Sequence, residues 1–195
     1  DYGIAWDRRN QPFQPTSGYI TKFEQSLPLI IDKSSIFNGF STSVYRSFGD
    51  DVIGSVRFMA RSIHGLENED VRLTSRLFIP QSRLRGFNSF RIGPKDGEDY
   101  IGGNYVSSLN FEAQLPKLLP ESSRTDISLF TDFGNIWGVD YSSTLDDTNE
   151  IRTSVGVAAN IWTPVGPLSF VVAEQLSKSI NDETQTFNFR IGTSF

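Results

Sequence analysis

The sequence predicts an antiparallel, up-and-down transmembrane β-barrel, and three observations carry that reading. Apolar and polar residues alternate with period 2 over long segments, the pattern of strands with a different environment on each face. Several segments exceed the ordinary strand of about 5–6 residues and reach the ~9–11 that cross a bilayer with tilt. Their connections alternate between short and long, as they do at the two rims of an outer-membrane barrel. An aqueous β-sandwich would share the first feature but has no reason to show the third.

Composition narrows the functional classes. The 195 residues include 16 Phe, 6 Tyr and 3 Trp, yet the mean hydropathy is −0.28. No apolar run approaches the ~18 residues of a transmembrane helix. A net charge of −5 argues against a nucleic-acid partner, which normally meets a basic stripe. The absence of cysteine excludes disulfides and thiolate metal sites. The lone histidine, His64, stands beside Gly65 in a loop and reads as solvated rather than catalytic; no nucleophile motif accompanies it. The acidic groups Asp96, Glu98 and Asp99, and Asp146, Asp147 and Glu150, lack the ordered spacing of a calcium loop. No metal, cofactor or enzymatic chemistry is therefore expected. The first residues, "YGIAWDRR", already read as a strand with no signal-peptide pattern before them, as expected of a processed or truncated piece of a longer chain.

Nine strands are expected, at about 2–9, 18–31, 37–48, 51–63, 103–115, 125–138, 150–163, 167–177 and 185–195. Short turns fall at "FGDD" (48–51) and "TPVGP" (163–167), and a medium one at "PKLLPESS" (116–123). Longer or more polar connections fall at 64–103, at "VDYSSTLDDTNE" (139–150) and at "SKSINDET" (177–184). In the fourth strand Arg57 and Arg61 share a face with Ser55 and Met59, opposite Val56, Phe58 and Ala60. A lipid-facing arginine costs ~2–4 kcal/mol at the midplane, so the arginine face is the lumenal one. In "YVSSLNFEAQL" (105–115) the same rule puts Ser108, Asn110, Glu112 and Gln114 inside and Leu109, Phe111 and Ala113 outside. Asp132 lies opposite Leu129 and Phe133 on its strand, and so also inside. In the last strand Phe187, Phe189, Ile191 and Phe195 share one face, and Asn188, Arg190 and Gly192 the other. Trp6, Trp137 and Trp162 stand near strand ends, where interfacial aromatic belts would put them.

The 64–103 segment is longer than a structureless loop in a compact domain usually is, and such loops tend to be functional or disordered. With Leu84, Phe87, Phe90 and Ile92 it is too apolar for a disordered linker. Its "LRGF" (84–87), followed by "GPKDGEDYIGGN" and "SSLNFEAQLP", resembles the sixth extracellular loop and next strand of BamA-type outer-membrane assembly factors, the bacterial surface antigen family. "LFTDFGNIW" (129–137), "IRTSVGVAANIWTPVGPLSF" (151–170) and the closing "FNFRIGTSF" are similar to the strands that follow in that family. "DRRNQPFQPTSGY" (7–19) resembles one of its periplasmic turns. The resemblance runs in order over essentially the whole chain.

The resemblance implies that residues 1–195 form the C-terminal portion of the barrel domain, about eight or nine strands of a sixteen-stranded barrel. It implies that the 64–103 loop folds inward, with Arg85 contacting Glu112 and Asp132 on the wall while Gly86 permits a tight turn and Phe87 adds packing. A guanidinium suits such a site, because it stays charged and donates bidentately to carboxylates. The resemblance further implies that Phe187, Phe189, Ile191, Gly192 and Phe195 form a C-terminal β-signal at a lateral seam. The implied function is folding and insertion of β-barrel proteins in a bacterial or organelle outer membrane. Its implied partners are outer-membrane lipid, nascent β-barrel clients and accessory assembly lipoproteins, by way of backbone templating and local bilayer thinning. A related translocator exporting a soluble partner, or a small passive barrel such as a porin, are the alternatives.

Overall fold

The computed structural model describes residues 1–28, 35–67, 69–142, 145, 149–163 and 166–191. Among the described residues nine strands form one antiparallel sheet in which every neighbour in space is the neighbour in sequence, apart from the long loop. They are β1 (Tyr2–Asp7), β2 (Gly18–Ser26), β3 (Ser35–Phe48), β4 (Val52–Gly65), β7 (Tyr105–Leu115), β8 (Thr125–Trp137), β9 (Arg152–Thr163), β10 (Gly166–Ser177) and β11 (Phe187–Ile191). A small hairpin, β5 (Lys95–Asp96) and β6 (Asp99–Tyr100), lies inside the loop. β1 pairs only with β2 and β11 only with β10, so among the described residues the sheet is an open wall.

Strand length follows from what the wall must cross. β3 and β4 have 14 residues each, and β7 has 11. At ~3.3 Å per residue these reach about 36–46 Å, enough for a tilted passage through a ~30 Å hydrocarbon layer. The observed ends differ modestly from expectation. β1 stops at Asp7 because the chain then enters the β1–β2 turn, where the Asn10 side-chain oxygen accepts the backbone N–H groups of Thr16 and Ser17. β4 continues through His64, which the sequence had suggested was loop; its Nε2 meets the Tyr105 hydroxyl at 2.9 Å.

Alternation sorts the two faces. Ala113, Leu129, Val157, Val172 and Phe187 lie directly opposite one another in one outward row across five strands. Val44, Val56, Phe111, Thr131 and Val155 form another. Such rows keep large apolar groups on the outside, as a lipid-facing surface requires. Trp6 is outward too, and Trp137 stacks on outward Tyr105 with ring centroids 5.5 Å apart. Trp162 corrects the expectation of a third belt residue. It has inward parity, and its Nε1 donates to Asp126 at 2.7 Å beside the inner cavity.

The hydrophobic core sits on the inner face. Ile79, Leu84, Phe87 and Ile92 of the long loop pack against Met59, Val106 and Ile136 of the wall. Within the loop, Leu77 forms an antiparallel bridge with Gly103, and residues 73–75 make one 3-10 turn. The wall is curved as well as layered. Gln14, in the β1–β2 turn, donates to Asp126 of β8 at 2.8 Å, spanning a chord across the three intervening strands β3, β4 and β7.

Candidate functional site

The register of the sheet assembles a polar row on its inner face. Ser43, Arg57, Asn110, Asp132, Ser154 and Gln175 stand opposite one another on six successive strands, β3 to β10. The adjacent inward row runs Ser55, Glu112, Phe130, Gly156 and Ala173. Arg85 of the loop lies over both.

Its guanidinium is bidentate to Asp132. Nε donates to Oδ2 and Nη2 to Oδ1, each at 2.7 Å, while the Arg85 backbone N–H reaches Oδ2 at 3.0 Å. Asn110 Nδ2 completes Oδ1 at 2.9 Å, so each oxygen of the fully buried Asp132 holds two donors. Nη1 reaches Glu112 Oε2 at 3.0 Å, an oxygen that also faces Arg57 Nη2 at 3.4 Å. The Arg85 guanidinium carbon sits 3.6 Å above the centre of the Phe130 ring. Burial alone would lower the Arg85 pKa; the Asp132 hydrogen bonds and the nearby Glu112 and Asp132 charges outweigh it, and the pKa rises. Two charges out of water repay their desolvation only when geometry and hydrogen bonding are good. Both conditions are met here.

The neighbouring residues explain why the motif has this composition. Gly86 has φ +91°, and an added Cβ would lie 3.0 Å from the Ala173 Cβ and from Gln175 Nε2. That is a left-handed backbone in close approach to the wall, which glycine tolerates and other residues do not. Gly156 makes room from the other side, since a Cβ there would meet the Phe130 ring at 2.6 Å and the Val172 carbonyl oxygen at 2.2 Å. Phe87 is 2 % exposed and fills the loop–wall core. The Ser154 hydroxyl donates to the Arg85 carbonyl at 2.5 Å. The loop residue Arg83 lies close by, its pKa pushed down to about 10 by burial and then by the charge of Arg57. Beside this cluster a cavity of about 260 Å³ is lined by Arg57, Glu112, Asp126, Trp162 and Arg190, among others.

All five residues named for the loop–wall contact thus come together. Of those named at the C-terminal strand, Phe187 and Phe189 are exposed on the outer face of β11, and Ile191 pairs with Leu168. Gly192 and Phe195 lie outside the described residues. Two further ion pairs had no expectation attached. Arg76 pairs with Asp140, which also accepts the Val71 backbone N–H and Asn104 Nδ2 at 2.9 Å each. Arg152 Nε donates to Asp182 at 2.8 Å, with both side chains almost wholly buried. Arg152 shares the inward parity of Ser154, a lumenal signal that the sequence contains but that was not read from it, whereas Asp182 carries no signal of a partner. Among the described residues no cluster of His, Asp or Glu could hold a metal ion.

This geometry can be set beside known proteins. The profile of the Omp85 superfamily domain matches residues 1–195. The outer membrane protein assembly factor BamA of Neorickettsia risticii is 29 % identical over 200 residues, covering 100 % of this chain and 27 % of that protein. The BamA of Neisseria meningitidis is 32 % identical over 142 residues, 57 % of this chain and 17 % of its own length. A SAM50-like protein of Schizosaccharomyces pombe is 32 % identical over 77 residues, 38 % of this chain and 16 % of its own. The chain therefore spans about a quarter or less of the curated relatives it matches. A crystal structure of BamA from Haemophilus ducreyi lacking POTRA domains 1–3 superposes with a TM-score of 0.83 at 24 % identity, covering 96 % of this chain and 40 % of that one. That likeness concerns the fold: these nine strands are laid out as part of a larger barrel wall.

Proposed function

Because the chain belongs to the Omp85 superfamily, we propose that it is the C-terminal part of the barrel of an outer-membrane protein assembly factor, which folds and inserts β-barrel clients into the outer membrane. The observation that carries this reading is the Arg85 loop, seated by Asp132 and Glu112 on the inner face of a wall that matches the Omp85 domain over residues 1–195. The last strand, β11, bears alternating exposed phenylalanines, Phe187 and Phe189, and lies at the seam of the parent barrel, whose opening would free its edge. An unpaired strand edge offers backbone N–H and C=O groups to an incoming strand. Ladder formation there templates a client hairpin without any covalent step. The outward apolar rows hold the wall in lipid, and the Arg85 loop braces it from within. In the parent protein the seam is completed by strands beyond this chain, with accessory lipoproteins as further partners. A passive pore fits less well, since the loop and its core occupy much of the inner face.

The test uses the full-length parent protein in liposomes, with a small outer-membrane barrel added from urea. Client folding, read as a heat-dependent gel shift, is expected to accelerate several-fold over empty liposomes. Folded parent protein that leaves the client rate unchanged would overturn the proposal. Export of a soluble partner in place of client insertion would assign the chain to a translocator.

A further inference from the structure

The start of the last strand is held by the long loop rather than by the wall. β11 pairs with β10 from Ile191 back to Phe187, and Ala173 donates to the Thr186 carbonyl at 2.8 Å. Upstream of Thr186 the chain leaves β10 and pairs with the loop. Gln185 N–H donates to the Gly86 carbonyl at 2.9 Å, Phe87 and Thr184 form an antiparallel bridge, Asn88 N–H donates to the Glu183 carbonyl at 3.0 Å, and Glu183 N–H donates to the Arg91 carbonyl at 2.9 Å. Gln175 of β10 adds a side-chain bond to the Gly86 carbonyl at 2.6 Å. The segment is anchored below by Asp182, whose Oδ2 accepts Arg152 Nε and the Ser179 N–H at 2.7 Å, and whose Oδ1 accepts the Gly93 N–H at 3.3 Å.

The same residues have a second pairing open to them. Continuing the β10–β11 register past Val172–Phe187 places Gln185 opposite Glu174, Thr184 opposite Gln175 and Glu183 opposite Leu176. β10 runs to Ser177, and beyond Ala173 it is paired only with β9. On the loop it is 183 and 185 that turn their backbone groups to the partner; Thr184, whose groups would meet Gln175 in the extended register, makes no backbone bond to β10, because the chain bends away at Thr186.

We propose that Arg152, Asp182 and Gln175 are positioning residues that keep 183–185 on the loop, so that the seating of the Arg85 loop sets how far β11 is zipped to β10. Unseating the loop lengthens that ladder by three residues and stiffens the strand edge offered to clients. The link to clients rests on the function proposed above; the exchange between two pairings does not.

The cysteine-free sequence allows a competition within the full-length parent protein, provided its remaining cysteines are replaced. Glu183→Cys is combined with both Asn88→Cys and Leu176→Cys, none of which belongs to the buried ion pair. On mild oxidation the thiol at 183 reports its neighbour, which peptide mapping identifies. The 88–183 disulfide is expected to dominate. Asp182→Asn is expected to move the ratio toward 176–183 by roughly tenfold, because it strands a buried guanidinium. Gln175→Leu, which leaves that pair intact, is expected to shift it in the same direction by less. An 88–183 preference unchanged in both variants overturns the proposal, as does a dominant 176–183 disulfide in the parent background. For the functional half, separate double-cysteine proteins are locked as 176–183 or 88–183 and assayed for client folding. The 176–183 lock is expected to slow folding, with recovery on reduction. Equal rates for the two locks would remove the link to the seam while leaving the pairing exchange standing on the crosslink ratio. A parent protein with no folding activity would instead count against the proposed function alone.

Discussion

Replacing Arg85 by alanine tests whether the loop is held by the ion-pair site. The substitution takes one donor from each oxygen of Asp132 and one of the two guanidinium groups facing Glu112. Asp132 is fully buried and retains only the Asn110 amide and a backbone N–H on the loop itself. Breaking a buried pair by removing one partner costs about 3–5 kcal/mol, because the other charge is left without compensation. At ~1.4 kcal/mol per tenfold, the opening equilibrium of the loop rises roughly a hundred- to a few-thousandfold. Amide hydrogen exchange on the full-length parent protein in lipid nanodiscs measures this at residues 83–88. Arg91 supplies the control, since its pair with Glu183 at 3.7 Å is about half exposed on both sides. Exposed pairs contribute about 1 kcal/mol or less, so Arg91→Ala is expected to change exchange at 83–88 by about fivefold at most. Arg85→Lys keeps the charge but loses the planar fork and the stacking on Phe130, and is expected to fall between the two. Exchange in Arg85→Ala equal to that in Arg91→Ala would refute the reasoning.

Other substitutions and conditions probe the parts around that site. Gly86→Ala forces a left-handed backbone at φ +91° and is expected to cost about 1–2 kcal/mol before any clash with Ala173, read by the same exchange measurement. Gly49→Ala, at φ +73° with open space around it, leaves residues 83–88 unaffected and serves as its control. Gly156→Ala drives a methyl into the Val172 carbonyl and the Phe130 ring; it is expected to lower the temperature of the heat-dependent gel shift and to raise exchange at Arg85. For pH, burial opposes ionisation of Asp140, but the Val71 and Asn104 hydrogen bonds and the Arg76 charge hold its pKa below the usual aspartate value. A group depressed on folding stabilises fully above its unfolded pKa, about 3.9, and loses that contribution as the pH falls through the folded value. A spin label at the exposed Thr74→Cys is therefore expected to stay immobile from pH 7 to 5 and to gain mobility only below about pH 4. Mobility gained at pH 5.5 would contradict the assignment.

The alternation in the sequence carried much of this structure, because the cost of a charge in lipid decides a strand's orientation from one or two residues. Arg57 and Arg61 oriented β4, and Glu112 and Asp132 followed on β7 and β8 by parity. Alternation says nothing about register, which depends on turn geometry and on the hydrophobic pattern of both partners. That Asn110, Asp132 and Ser154 would form one row was thus not legible, nor that Phe130 in the next row would underlie Arg85. Trp162 shows the converse limit: its position near a strand end suggested a belt, while its parity placed it on Asp126. The last strand was expected from residue 185, yet β11 starts at Phe187. The segment before it has a strand-like pattern but spends it on the loop, and only the three-dimensional placement of Gly86 and Phe87 shows that. The Arg152–Asp182 and Arg76–Asp140 pairs join residues 30 and 64 positions apart, a separation over which local pattern carries no information.

The central claim is that the edge of β11 templates client strands, and register-resolved crosslinking tests it most directly. Single cysteines at 187, 188, 189 and 190 of the parent protein would be paired with a cysteine walked along the terminal strand of a client stalled during assembly. The account predicts disulfides confined to one antiparallel or parallel register, in which moving the cysteine on β11 by two residues moves the client partner by two. Crosslinks that show no register, or that fall on the wall elsewhere while β11 stays silent, would contradict it.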